Sequence, residues 1–294
     1  MRIRPSKPPP LACILVATDL SPRCDRALER AAQLAREWQA DLTALNVLHP
    51  ASSPDLAIAW AIGKTDEQAL HIARQQLTRD LSGLDVQTSI RIARANDAAT
   101  AIRNTAVSSG STLVVTGLAC HDAFGRFLRG STLERLIRSL PQPLLVVRQR
   151  AHAAYCRIVV ATDFSASSRH ALQAAARLFP GRDLILYHAC QGPLNAHPDK
   201  RSLARIGREI EEGALADFVA ESSLPETTAI VPATGHGALE TALTEYVRSN
   251  EIDLVVMGAS GRGLVMSILR GSHTARLLHW LPCDTLIVRH GLPD

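Results

Sequence analysis

Three glycines and a serine carry the plainest chemistry this sequence offers. Gly258 and Gly261 are followed, after nine residues, by Gly271-Ser272, and the apolar run Leu254-Val255-Val256-Met257 leads into them. Glycine lets a backbone amide meet an anionic oxygen with no Cβ in the way. A helix N-terminus adds unpaired N–H groups and the positive end of its dipole, and a serine there adds a hydroxyl for capping or phosphate contact. The physical logic is that of a phosphate cradle. A second group, Ala161-Thr162-Asp163, stands just beyond the apolar run Ile158-Val159-Val160. An Asp in that place either caps the next helix or meets a ligand.

Other constellations are weaker. Gly63-Lys64-Thr65 has Ile58 where a P-loop needs its first glycine, so it reads as the start of a helix. Gly235-His236-Gly237 lacks the third glycine of a dinucleotide fingerprint and reads as a loop before a helix. His188 and Cys190 share a strand face, but two ligands do not make a metal site, so packing is expected and no metal is assigned. Cys120-His121 is either a reactive thiol or an inert substitution. No Ser-His-Asp spacing, H-E-x-x-H or pair of carboxylates on one face is found, so no catalytic residue is assigned.

The elements that must position these groups alternate in type. From residue 157 the chain reads as strand 157–161, an Ala-rich helix 167–179, strand 183–190, a long charged helix 199–222, strand 227–231, an amphipathic helix 238–250, strand 253–258, a short helix 272–281 and strand 285–289. Strands this uniformly apolar belong to a parallel sheet buried on both faces. Alternation with helices makes a doubly wound α/β sheet, whose ligands bind at the carboxyl ends of the strands near the topological switch point.

The plan is written twice. Ile14-Leu15-Val16-Ala17-Thr18-Asp19-Leu20-Ser21 returns 144 residues later as Ile158-Val159-Val160-Ala161-Thr162-Asp163-Phe164-Ser165. Leu113-Val114-Val115, Gly117, Arg129-Gly130-Ser131 and Leu140-Pro141 return at an offset of 141. The expected organisation is a flexible Pro-rich tail 1–10, a first domain 11–148, a linker 149–155 and a second domain 156–290. A linker this short forces the domains to touch. Edge strands need cover, so the final strands 144–148 and 285–289 are expected to pair about a pseudo-twofold axis.

Composition bounds the rest. Of 294 residues, 46% are hydrophobic and 20% charged, a globular balance. The formal net charge of +4 is mild, and all but three of the 32 basic residues are arginine, so no nucleic-acid partner is expected. The six cysteines form no C-x-x-C pair and several sit in apolar runs, as reduced thiols of a cytoplasmic protein would. No apolar run reaches the ~18–20 residues of a membrane span, so no membrane association is expected.

Gly258-x2-Gly261-x9-Gly271-Ser272 and Val160-Ala161-Thr162-Asp163-x-Ser165 resemble the nucleotide loop and opening strand of the universal stress protein family, and the resemblance covers both halves. It implies tandem domains, each a 3-2-1-4-5 parallel sheet of the adenine nucleotide alpha-hydrolase-like type. It implies a cytoplasmic stress-response module binding ATP, ADP or AMP, with or without Mg2+, and an unidentified protein partner; homodimerisation stays open. In the second domain it places Ala161, Thr162 and Asp163 at the adenosine end and Ala189 at the adenine edge. Gly258 falls at the ribose, and Gly261, Arg262, Gly263, Gly271, Ser272 and His273 around the phosphates. The first domain keeps Asp19, Val47, Gly117, Gly130 and Ser131, but Cys120 replaces its second glycine, so any site there is expected to be weaker. The alternatives are a slow ATP-hydrolysing enzyme, or a nucleotide-free interaction protein with vestigial sites.

Overall fold

The computed structural model describes residues 13–22, 24–48, 66–118, 131–190, 213–259, 277–278 and 280–289. The first half runs β1 (Cys13–Thr18), α1 (Asp25–Trp38), β2 (Asp41–Leu48), α2 (Asp66–Leu81), β3 (Thr88–Arg94), α3 (Ala98–Ser108), β4 (Leu113–Gly117), α4 (Thr132–Ser139) and β5 (Leu144–Val147). The second runs β6 (Ile158–Thr162), α5 (Ala166–Leu178), β7 (Leu184–Cys190), α6 (Ala214–Glu221), β8 (Ile230–His236), α7 (Leu239–Ser249), β9 (Leu254–Ala259) and β10 (Asp284–Arg289).

Ten strands form one sheet in the order β3-β2-β1-β4-β5-β10-β9-β6-β7-β8. Each half is therefore the expected 3-2-1-4-5 sheet, parallel throughout. Among the described strands the one antiparallel contact joins the final strands, with Thr285 opposite Val146, Leu286 opposite Leu145 and Ile287 opposite Leu144. β1, β4, β5, β6 and β9 are buried on both faces or nearly so. One face packs on α1, α2, α5 and α6 through Leu28, Leu77, Leu172 and Phe218. The other packs on α3, α4 and α7 through Ile102, Leu136 and Leu243. Chains of β-branched and leucine residues make such strands because a sheet covered on both sides has no polar face to reserve.

The third strand of the second half differs from its expected place. β8 spans residues 230–236 and takes in Gly235 and His236, which were expected in a loop. A Cβ on Gly235 would lie 1.8 Å from the Tyr187 hydroxyl of the neighbouring strand. This glycine gives a tyrosine room rather than a loop its turn. Pro232 is tolerated because β8 is an edge strand. Of the long helix expected over 199–222, the described part is α6. No described helix is long and apolar enough to cross a membrane.

Candidate functional site

The switch points lie between β1 and β4 and between β6 and β9, where the chain leaves adjacent parallel strands in opposite directions. Just beyond β1 and β6 the two halves build the same turn. Thr18 Oγ1 accepts from Leu20 N at 3.0 Å, and Thr162 Oγ1 accepts from Phe164 N at 2.9 Å. Asp19 Oδ1 accepts from Ser21 N at 2.9 Å, and Asp163 Oδ1 from Ser165 N at 3.1 Å. Between these bonds Leu20 and Phe164 take left-handed backbone, φ 61° and 60°. Such a conformation costs a residue with a Cβ about 1–3 kcal/mol. The two side-chain-to-backbone bonds and packing offset it. Phe164 stacks on His188 with centroids 4.6 Å apart and meets Phe218 edge-on at 5.5 Å.

The carboxylates then differ in their further donors. Asp163 also accepts from the Ser165 hydroxyl at 2.5 Å, and Ser165 caps α5 by accepting from Ser168 N. Asp19 accepts instead from the Cys24 thiol at 3.1 Å. Enclosure of the Asp19 carboxyl by its loop opposes ionisation, but the hydrogen bonds from Ser21 and Cys24 outweigh it and hold the group below the usual carboxylate range. Burial, helped by the neighbouring Asp19 charge, pushes the Cys24 thiol up to about 11, so it stays a protonated donor.

Each turn is anchored from the second strand. Asn46 Nδ2 donates to the Thr18 carbonyl at 2.9 Å, and the ring Nδ1 of His188 lies 2.9 Å from the Thr162 carbonyl. Asn46 and His188 stand at equivalent register positions, opposite Thr18 and Thr162. Neither was among the expected site residues. The signal available was a polar residue inside an apolar strand in both repeats. His188 is thus engaged in packing and a backbone bond, and among the described residues no cluster of three or more His, Cys, Asp or Glu could hold a metal.

Ala161 and Thr162 are buried at the end of β6, and Ala189, one residue past His188, is half-buried opposite Gly235. Gly258 lies near the end of β9, paired with Val288. A Cβ there would meet the Ser167 carbonyl oxygen and Oγ at 2.5 Å. The glycine lets the first turn of α5 come down onto the strand. Gly261, Arg262, Gly263, Gly271, Ser272 and His273, and in the first half Cys120 and Gly130, lie outside the described residues. Val47 and Gly117 hold the positions equivalent to Ala189 and Gly258. Ser131 caps α4, its hydroxyl accepting from Glu134 N at 3.2 Å.

The sequence model of the universal stress protein family matches this chain twice, over residues 13–148 and 154–289. A universal stress protein of Mycolicibacterium smegmatis is 28% identical over 94% of this chain and 96% of its own length. Universal stress protein Slr1230 of Synechocystis sp. is 32% identical over 54% of this chain, an alignment spanning about half of that protein (51%). Among solved structures, a universal stress protein from Archaeoglobus fulgidus superposes with a TM-score of 0.64 at 16% identity, over 95% of this chain and 96% of that one. The chain belongs to the universal stress protein family, as a tandem member.

Proposed function

We propose that this protein is a cytoplasmic stress-response module that binds an adenine nucleotide, ATP or a relative, at the β6/β9 switch point of its second half. The observation that carries the reading is the turn, closed by the Thr162 and Asp163 side chains, that sets Asp163 just beyond β6, next to the strand β9 that carries Gly258 near its end. Carboxylates placed there suit sugar hydroxyls, which donate to them. The sequence downstream supplies Gly261, Gly271 and Ser272 for phosphate oxygens. Ala161, Thr162 and Ala189 line the nucleoside end, and Arg262, Gly263 and His273 accompany the phosphates. A polyphosphate ligand would bring Mg2+ with it.

The first half builds the same turn, anchored by an amide rather than an imidazole, but Cys120 stands where the second glycine would meet phosphate. We therefore assign it the weaker site, around Asp19, Val47, Gly117, Gly130 and Ser131. Turnover is absent or slow in this reading. Fast phosphoryl transfer needs acidic metal ligands and a cationic clamp, and residues 259–270 contain no Asp, Glu or Lys. Bound nucleotide then acts by favouring one loop conformation and hence one protein partner.

Calorimetry with ATP, ADP and AMP tests the reading. One dominant site per chain, abolished by Gly261→Val and kept in Gly130→Val, is the expected result. Two equal sites, or full binding by Gly261→Val, would refute the assignment. ADP release near ~10 s⁻¹, lost in His273→Ala, would place the protein among the enzymes.

A further inference from the structure

The seam between the halves holds a buried ion pair that only one arrangement of halves can satisfy. Arg30 of α1 and Asp284 of β10 are 4% and 0% exposed. Arg30 Nε stands 3.4 Å from Asp284 Oδ2, close enough for charge but misaligned for a hydrogen bond. The rest of the guanidinium donates to the Ala153 carbonyl at 2.8 Å and to Gln33, and lies 4.2 Å over the Tyr155 ring. Asp284 accepts from Arg148 N at 2.7 Å, Gln149 N at 2.9 Å and the Tyr155 hydroxyl at 2.6 Å. The carboxylate is fully satisfied by the other half and the linker.

The strands themselves cannot choose a partner. Leu145 and Leu286 are equivalent in the repeat, 141 residues apart, and stand directly opposite each other. A pseudo-twofold axis passes between them. Two first halves from different chains would set Leu145 against Leu145, and two second halves Leu286 against Leu286, with equally apolar strands. Isologous pairing of this kind is how like units ordinarily associate, and uniformly apolar strands buried on both faces discriminate little.

The ion pair breaks that equivalence. The repeat counterpart of Arg30 is Ala174, and that of Asp284 is Pro143. A pairing of two first halves would bury two arginines against prolines. A pairing of two second halves would bury two aspartates against alanines. Each leaves uncompensated charge in the core, which is strongly unfavourable, whereas the unlike pairing leaves none. We propose that Arg30 and Asp284 are a partner-selection device: they make the seam accept one first half and one second half, and exclude a second copy of this chain from either final strand. A buried ion pair is weak evidence of stability but a good means of specificity.

The test uses the full-length chain with Cys156→Ser, which removes the one exposed thiol among the described residues, and Leu145→Cys, whose position faces its own copy only when two first halves pair. The chain is refolded at high concentration with oxidised glutathione, and disulfides are located by peptide mass mapping. With the seam otherwise intact it stays a monomer, and adding Leu286→Cys closes a disulfide within one chain. Replacing Arg30 by Gln together with Asp284 by Asn should raise the between-chain cross-link at position 145 about tenfold. A second arm leaves the network alone. Pro143→Asp gives the first half both charges, so two first halves now satisfy each other and the same cross-link rises. Should the neutral pair fail to fold, this arm decides. The proposal is overturned if the Pro143→Asp chain stays uncross-linked, or if the parent chain cross-links at position 145 to the same extent as the variants.

Discussion

Replacing Gly258 by alanine tests whether the crevice depends on a close approach of α5 to β9. The added Cβ would stand 2.5 Å from both the carbonyl oxygen and Oγ of Ser167, and 2.6 Å from its carbonyl carbon. Carbon contacts settle near ~3.5 Å, so strand and helix must part by about 1 Å. The serine hydroxyl can turn aside, but the carbonyl belongs to the first helical turn, fixed by the Ser165 cap and through it by Asp163. Overpacking of this kind costs about 1–3 kcal/mol, and a backbone obstacle places Gly258→Ala at the upper end. For a chain of 294 residues, that is a fall of roughly 3–5 °C in melting temperature. The assay is thermal unfolding followed by circular dichroism, with Ser167→Gly as companion. Removing Oγ leaves the carbonyl in place, so Gly258→Ala with Ser167→Gly should recover only part of the loss. A Gly258→Ala protein melting within about 1 °C of wild type would refute the argument, since the cost then falls outside the expected range. Full rescue by Ser167→Gly would show that the obstacle was the side chain.

Three further outcomes follow from comparing the halves. α3 is capped by Asp97, which accepts from Ala99 N and the Thr100 hydroxyl, whereas the equivalent cap of α7 is Ala238, with no side-chain bond and an extended backbone that suits one. Thr241 follows Ala238 as Thr100 follows Asp97, so Ala238→Asp should stabilise the protein by about 1 kcal/mol, read as a higher urea midpoint. His188→Leu should cost about 1–3 kcal/mol by stranding the Thr162 carbonyl, while His188→Asn, which copies Asn46, should recover most of it in the same unfolding assay. The Asp97 carboxyl is held below its ordinary value, chiefly by the Thr100 hydroxyl and then by Arg135, 2.5 Å away. Its contribution is therefore full above about pH 4 and lost as pH falls through the lowered folded value. The gap in melting temperature between wild type and Asp97→Asn should close on acidification, and a gap constant from pH 5 to pH 2 would contradict this.

The parallel, doubly covered sheet was legible because both-face burial leaves a strand no polar positions, as Leu254-Val255-Val256-Met257 shows, whereas the strand order came from the family resemblance. The final-strand pairing was legible from the repeat and the short linker. Asp163 and Gly258 could be placed at strand ends, yet the sequence suggested only ligand contact for Gly258. Its close approach to Ser167 is a tertiary fact with no local signature. His188 was read by its spacing to Cys190, which hid its partner, the carbonyl at the end of the neighbouring strand. Gly235 misled because glycine usually marks a turn, and here it makes room for the Tyr187 hydroxyl. Arg30 was lost among arginines at helical spacing, because nothing near it in sequence announces a buried aspartate 254 positions away.

The two halves are alike where they hold their turns and unlike in what surrounds them, and the seam explains how both can be true. In a homodimer every substitution is made twice, at symmetric places. A residue suited to one half would then stand in both, and an arginine facing the seam would be buried against proline twice. When unlike halves always meet, each position can be filled for one context. Arg30 can face Asp284 while their repeat counterparts are the uncharged Ala174 and Pro143. Asp19 can lean on a thiol while Asp163 leans on a serine hydroxyl. The network around Asp284 draws a charge from α1 and donors from the residue after β5 and from the linker. A change at the linker is thereby felt in both halves, and the two switch points sit on one continuous sheet rather than on two independent ones.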